Sequence, residues 1–369
     1  MMTRVLIAPE RFYPTMKAQA VAQAMARGLE SVSREWELVL FPMGSGGSGT
    51  TELAVRLASG RLYHETLAIA PRRTRDVRWG LLPDGTAIFD ARDALGSPDG
   101  PSQLNQAYVD SRPLGQMIQQ LIARRPRRIV IALGDVLAAD GGMGVLQHFG
   151  IKACDAANDV LGSGTQQLLR LHHVDFGDLT PPEVPLVALT DHTLTWNERV
   201  QQEDFRLDLI HGGLHLASER FRDLLADHVR VPLGEVEGSG GGGGLGMALA
   251  FLGAQFQCGA EYLAQLGALK SKLWDVDWVM TGTHTLGPHS ATQAVGIVAR
   301  HARDAGIPAI ALTCDLRPGH LELLDLGLTG IYPVLDRVRN HKELHRTLPA
   351  LIEHAAFRAG YWVQALSEP

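Results

Sequence analysis

Only three cysteines, Cys154, Cys258 and Cys314, occur in 369 residues. They are widely spaced and odd in number, which gives neither a disulfide framework nor a zinc pattern and fits a reducing compartment. No apolar run approaches the roughly 18 residues that a membrane span requires. The opening MMTRVLIAPE also lacks the layout of a signal peptide, so a cytoplasmic protein with no membrane partner is expected. Aromatic residues are scarce, at 6%. None is interleaved with the two basic clusters, Arg72, Arg73 and Arg75, and Arg124, Arg125, Arg127 and Arg128. With a net charge of -6 this argues against a general nucleic-acid binder, and those arginines are read as solvated turn residues. The 15 histidines are mostly scattered, with His172 and His173, and His341 and His345, among the close pairs. Neither pair has the nearby acid of an HExxH motif, and no metal ligand is assigned.

Core material is ample. A hydrophobic content of 45% with 20% charged residues describes an ordinary globular chain, and this length exceeds the usual single core, so two domains are expected. The organising stretch is residues 127–150, RRIVIALGDVLAADGGMGVLQHFG. Ile129, Val130, Ile131, Ala132 and Leu133 form a β-branched-rich run of strand length, read as buried on both faces and stopped by Gly134 and Asp135. Asp140, Gly141 and Gly142 then precede Met143, Val145, Leu146 and Phe149, whose spacing makes one apolar helical face. Glycines at such a turn let backbone N–H groups approach a ligand, and a helix start favours anions; by itself, however, a strand-turn-helix unit more often binds nothing.

The same texture recurs at both ends of the chain. Strands are expected at 4–8 and 38–41, the first leading into a helix through Val21, Met25 and Leu29 and the second into the loop Gly44-Ser45-Gly46-Gly47-Ser48-Gly49-Thr50 and a helix closing near Gly60. Further strands are expected at 278–281, 308–312 and 331–335, with helices at 295–302 and 344–355. Alternation of this kind implies a parallel sheet covered on both faces. Between these ends, LYHETLAIA, VRWGLL and TAIFDA read as antiparallel strands, 114–122 as a helix, 184–189 as a strand and 193–205 as irregular. Gly240 to Gly244 is either a linker or a working turn, and its position against the apolar start of LGMALAFLGAQF favours the turn. The resulting fold class is α/β with two domains: a doubly wound, flavodoxin-like parallel-sheet domain over residues 1–58 and 259–369, split by an inserted mixed α/β domain over 59–258. Ligands in such sheets gather at the carboxyl ends of strands. The glycine loops at Gly46, Asp140 and Gly240 are expected to converge on one interdomain cleft.

Several words of the sequence, in order and over nearly the whole chain, resemble the bacterial type I glycerate kinase family. PERF after the first strand resembles the family's APDSFK opening, PMGSGGSGT its PxADGGEGT, and ALGDVLAADGGMG its GxGGSATNDGGxG. GGGLGMALAFLGA is similar to GGLGAALLAFLGA, DWVMTG to DLVITG and AGIPAIALT to the GVPVIAL strand, and Thr190-Asp191 stands where the family has Cys-Asp. The resemblance implies phosphoryl transfer from ATP, with Mg2+, to glycerate or a similar small hydroxy acid. It implies Glu10, Arg11, Asp140 and Asp191 as catalytic residues. Gly46, Gly47, Gly49, Thr50, Gly141, Gly142, Gly243, Gly244, Thr281 and Gly282 would then bind phosphate or substrate.

The departures concentrate in the polar positions. The family's Asp, Ser and Lys of the first loop become Glu10, Arg11 and Tyr13, with Pro14 for Gly. Ser45 and Ser48 replace an Asp and a Glu, and Val136, Ala138 and Ala139 replace Ser, Thr and Asn. Thr283, His284 and Gly287 stand where an acid, a glycine and an Asp are expected, and Ala291 and Thr292 where a Gly-Lys is. The FGPQKG word is unrecognisable around 193–202. Phosphoryl transfer depends on carboxylates for the metal and cations for the phosphates. Arg11 can replace the missing lysine's charge, since a guanidinium clamps phosphate or carboxylate bidentately. A weakly active or inactive family member is therefore expected. The alternative is a non-catalytic relative, without ATP or Mg2+, that binds a small anionic ligand or a partner protein; a homo-oligomer is left open.

Overall fold

A computed structural model describes residues 2–12, 16–70, 72–96, 110–136, 140–201, 214–337 and 339–367. Tyr13, Pro14, Ala138 and Ala139, named above among the replaced positions, lie outside the described residues, as do 202–205 of the irregular stretch. The strands, in chain order, are β1 Arg4–Pro9, β2 Glu37–Leu40, β3 Arg61–Ala70, β4 Arg73–Leu81, β5 Thr86–Asp90, β6 Arg128–Ala132, β7 Lys152–Cys154, β8 His173–Asp175, β9 Leu186–Thr190, β10 Gln255–Cys258, β11 Trp278–Leu286, β12 Ala309–Leu316 and β13 Leu328–Pro333. The chain forms two compact units, one made of Met1–Ser45 with Ala260–Pro369 and the other of Gly46–Gly259.

The first unit holds a five-stranded sheet in the order β2-β1-β11-β12-β13, all pairs parallel. Counted along this unit alone, the order is 2-1-3-4-5, the flavodoxin-like arrangement, and it reverses between β1 and β11. Successive strand side chains point to opposite faces. Val5, Ile7, Trp278 and Met280 join one buried cluster with the helix Ala18–Glu30 and the last helix, His341–Ser367. Leu6 and Val279 are equally buried but face the other way, the side of the helix Ala294–Asp304, which packs on β1, β11 and β12. Both faces are thus covered, which is why these strands read as unbroken apolar runs. One strand differs from the reading above. The strand expected at 278–281 does not stop at Gly282: pairing continues through Thr283 opposite Thr313 to Leu286 opposite Leu316, because a glycine in a paired parallel strand costs packing and does not break the ladder.

The second unit holds a six-stranded sheet in the order β10-β9-β6-β5-β4-β3. β5, β6, β9 and β10 are parallel, while β3 and β4 run antiparallel at one side, as the alternating texture of that stretch implies. Ile129, Ile131, Leu186 and Ala188 share a core with the helices Arg112–Ala123, Met143–His148, Leu214–Val229 and Leu245–Phe251. The helix Leu214–Val229 was not read from the sequence, because charged residues crowd it and its buried seam rests on Phe221 and Leu225. The helix Thr50–Leu57 was assigned with residues 1–58, but it packs on β3, β4 and β5 and lies in the second unit. Among the described residues no helix is long and apolar enough to cross a membrane.

Close packing of the helix Ala18–Glu30 on the last helix needs a residue without a side chain at Gly28, where a Cβ would lie 2.2 Å from the Glu353 carbonyl oxygen. Gly28→Ala should therefore lower stability by about 1–3 kcal/mol, despite alanine's better helix propensity. Urea denaturation checks this, and an unchanged or raised midpoint would refute the contact.

Candidate functional site

In a doubly wound sheet the crevice for ligands opens at the carboxyl ends of the two strands where the order reverses. Here those ends are Pro9 and Gly282, which lie opposite each other in the pairing of β1 and β11. Glu10 follows at once and donates its N–H to the Gly282 carbonyl at 2.8 Å. Its side chain is buried, accepting a hydrogen bond from Ser45 Oγ and another from the Thr283 side chain. The helix Ala294–Asp304 directs its first N–H at Ser45 Oγ, 2.9 Å away. Burial pushes the Glu10 carboxyl above its ordinary value; the hydrogen bonds from Ser45 and Thr283 and the charge of Arg11 only partly counter it. Thr281 donates its hydroxyl to the Ala8 carbonyl at 2.7 Å and so ties β11 to β1. Gly282 abuts the Leu312 carbonyl oxygen, 2.6 Å from where a Cβ would be. Of the residues expected here, Glu10 and Arg11 directly follow β1, and Thr281 and Gly282 stand opposite its last residues in β11.

The three glycine loops meet inside the second unit, at the carboxyl ends of its parallel strands. The Gly46 carbonyl accepts from Gly134 N at 2.9 Å, just past β6. Gly242, Gly243 and Gly244 take φ of 64°, 65° and 101°, and Gly141 and Gly142 take 62° and 77°. Consecutive left-handed residues of this kind are affordable only for glycine. The two runs interlock, since a Cβ on Gly244 would fall 2.8 Å from the Gly141 Cα. The polyglycine segment is therefore a packed turn and not a linker.

Carboxylates fasten these loops. Asp140 is buried; its Oδ2 accepts from Ser111 N at 2.9 Å, Ser111 Oγ at 2.8 Å and Gly144 N at 3.3 Å, and its Oδ1 from Gly142 N at 3.0 Å. Both oxygens are engaged by the chain itself, the pattern of a loop organiser. Asp90, at the end of β5, accepts from Gly49 N at 2.7 Å, Thr51 N at 2.9 Å and Thr51 Oγ1 at 2.7 Å. Asp135 Oδ2 accepts from Ser48 N at 3.0 Å. Thr50 donates both its N–H and its hydroxyl to the Gly47 carbonyl, at 3.1 and 2.6 Å. Asp191 directly follows β9, half-buried, with its Oδ1 3.9 Å from His192 Nε2.

A sequence profile of the Glycerate kinase family matches residues 5–195 and 211–364. The chain belongs to that family. It is 27% identical over 358 residues to the "Glycerate 2-kinase" of Escherichia coli (strain K12), covering 93% of both chains. It is 23% identical to the "Glycerate kinase" of Halalkalibacterium halodurans over 96% of this chain and 97% of that protein. A crystal structure from Salmonella typhimurium LT2, assigned as a glycerate kinase 2, superposes with a TM-score of 0.77 at 23% identity, covering all of both chains, and shares the fold.

Within this glycerate kinase family chain, Asp90 and Ser111 carry no signal in the sequence reading, and Asp135 figures there only as a strand stop. Asp90 lay in TAIFDA, read as antiparallel; as the last residue of a strand parallel to β6 it was a signal of its own. Burial pushes its carboxyl up to about 6 from 3.8, offset in part by Thr51 and Gly49. For an acid raised in the folded state, the stabilising contribution is complete below pH 4 and is lost as the pH climbs through 6. The advantage of wild type over Asp90→Asn should thus be larger at pH 4 than at pH 7, by up to about 3 kcal/mol. Urea midpoints of both proteins at the two pH values measure it, and a difference independent of pH would show that Asp90 ionises at an ordinary value.

Proposed function

We propose that this chain is a glycerate kinase family protein with most of its capacity for ATP-dependent phosphoryl transfer to glycerate, or a similar small hydroxy acid, lost. The observation that supports the reading is the company of Glu10. Positions 10, 45 and 283 touch at the strand-order reversal, and each is acidic in the family words that the sequence resembles. In this chain they are one carboxylate and two hydroxyls, Glu10 bonded to Ser45 and Thr283. Three carboxylates in contact repel unless a cation lies among them; one carboxylate satisfied by two hydroxyls needs none. Mg2+ demands near-octahedral oxygen ligation around at least one accessible carboxylate, and this set does not fit it. Val136, where the family word has serine, packs instead against the hydrophobic core.

Removing one preorganised electrostatic group costs about a hundredfold in rate, and several are replaced here. What persists suits binding: Arg11 beside the reversal point, and a fold held by family-like glycine turns. A small anion such as a hydroxy acid is the ligand class this favours, in a cytoplasmic protein.

Turnover of Mg-ATP with glycerate should fall at least about a hundredfold below the roughly 1–100 per second of working kinases. A wild-type rate inside that range would sink the proposal. The double variant Ser45→Asp with Thr283→Glu should gain Mn2+ affinity by about tenfold or more over wild type in calorimetry, because it rebuilds a carboxylate group on an intact scaffold. Arg11→Ala should lose whatever anion binding the wild type has while keeping its circular dichroism spectrum.

A further inference from the structure

The six-stranded sheet of the second unit ends in β3, which pairs with β4 on one side and, as an edge, presents a row of backbone N–H and C=O groups that no strand claims on the other. Sheet edges are commonly kept short, or carry proline or lysine, because a long plain edge is a template for another strand. The other edges of the two large sheets follow that rule: β2 and β10 have four residues each, and β13 holds Pro333. β3 has ten residues, with neither proline nor lysine among them. Its pairing with β4 shifts register between Ala68 and Ala70, an irregularity that discourages further pairing, but the half from Arg61 to Glu65 is regular. In that half residues 61–64 are exposed, including Leu62 at 44% and Tyr63 at 37%.

Alternate side chains of a strand share one face, so Arg61, Tyr63 and Glu65 point the same way. Tyr63 stacks on Trp79 of β4 with ring centroids 4.8 Å apart, which holds the ring as a flat apolar surface at the edge. A charge of each sign flanks it. A second copy turned about a two-fold axis through Tyr63, perpendicular to the sheet, sets Tyr63 opposite Tyr63 of the partner subunit and Leu62 opposite His64 of the partner subunit. Arg61 then faces Glu65 of the partner subunit, and the symmetry repeats that pair. Other registers lose this match: centred on Glu65 they oppose like charges, and centred on His64 they set Arg61 against Leu67 of the partner subunit. Opposite charges directly across an antiparallel pair stabilise it and like charges do not, so the charge pattern selects the register at Tyr63. Glu65 Oε1 already accepts from Arg124 at 2.8 Å, and a carboxylate takes a second guanidinium as well. We propose that the chain forms a homodimer in which residues 61–65 of β3 pair antiparallel with the same residues of a second copy about a two-fold axis at Tyr63, joining the two six-stranded sheets into one. Nothing in this contact depends on whether phosphoryl transfer survives.

Sedimentation velocity on the full chain across the micromolar range should show a reversible dimer. Arg61→Glu changes an exposed residue, so its circular dichroism spectrum should match wild type, while its dimer dissociation constant should rise at least about tenfold, since two attractive cross-strand pairs become repulsive. Under mild oxidation Tyr63→Cys should give a disulfide-linked dimer, because antiparallel partners stand about 4.5–5.5 Å apart at Cα, within disulfide reach. Thr66→Cys should not, since the same register sets its two copies about 20 Å apart. Wild type, with Cys154, Cys258 and Cys314, gives the background for both. A monomer throughout the range overturns the proposal, as does a dimer that Arg61→Glu leaves intact. So does a folded Tyr63→Cys that cross-links no more than wild type, or a Thr66→Cys that cross-links in its place. Should Tyr63→Cys fail to fold without the Trp79 stack, the sedimentation of Arg61→Glu decides alone.

Discussion

A carboxylate taken out of water costs several kcal/mol unless donors replace its hydration. Among the described residues Glu10, Asp90 and Asp140 are all buried, Asp90 as the last residue of β5 and the other two in the connections that follow β1 and β6. Each is supplied with donors from elsewhere in the chain: Ser45 and Thr283 for Glu10, residues 49 and 51 for Asp90, Ser111 and the 142–144 turn for Asp140. The loops take the shapes that bring those donors in. That requirement explains why glycine is so dense at these turns, since backbone N–H groups reach a buried oxygen only where side chains do not intervene.

The same requirement separates two roles open to a buried acidic residue. A carboxylate that meets a cation or a substrate proton can do chemistry, whereas one saturated by the chain's own donors holds a loop. In Asp140 and Asp90 both carboxylate oxygens meet the chain's own donors. Glu10 stands between, at the place in the sheet where ligands gather, with hydroxyls from Ser45 and Thr283 as its donors. Serine and threonine hydroxyls satisfy this carboxylate, so the turn after β1 keeps its hydrogen bonds.

Most of the architecture was legible in the residues. The apolar runs of β1, β6, β9 and β11 are buried on both faces and so show no alternation to confuse them with surface strands. β3 and β4 show the alternation of a sheet with one wet side. The helix Leu214–Val229 escaped because its buried seam is thin and its charges many, and the end of β11 was misplaced because a glycine stops a lone strand signal but not a paired strand. In the candidate site, Glu10 and the glycine loops were legible as strand-end turns. Asp90 and Asp135 were not, since what marks them is the partner they meet: Thr51 lies 39 residues from Asp90, and Ser48 lies 87 from Asp135.

The sequence by itself determined the family, the fold class and the list of polar positions that depart from the family's words, because these depend on local pattern and on the order of motifs. Only the tertiary structure decided that positions 10, 45 and 283 share one cluster, that Asp140 organises a loop, that the helix Thr50–Leu57 belongs with the second unit and that Asp135 sits on the glycine loop. The reason is physical. Hydrogen bonds and desolvation act across space at about 3 Å, and residues far apart along the chain come within that reach only after the sheets have formed.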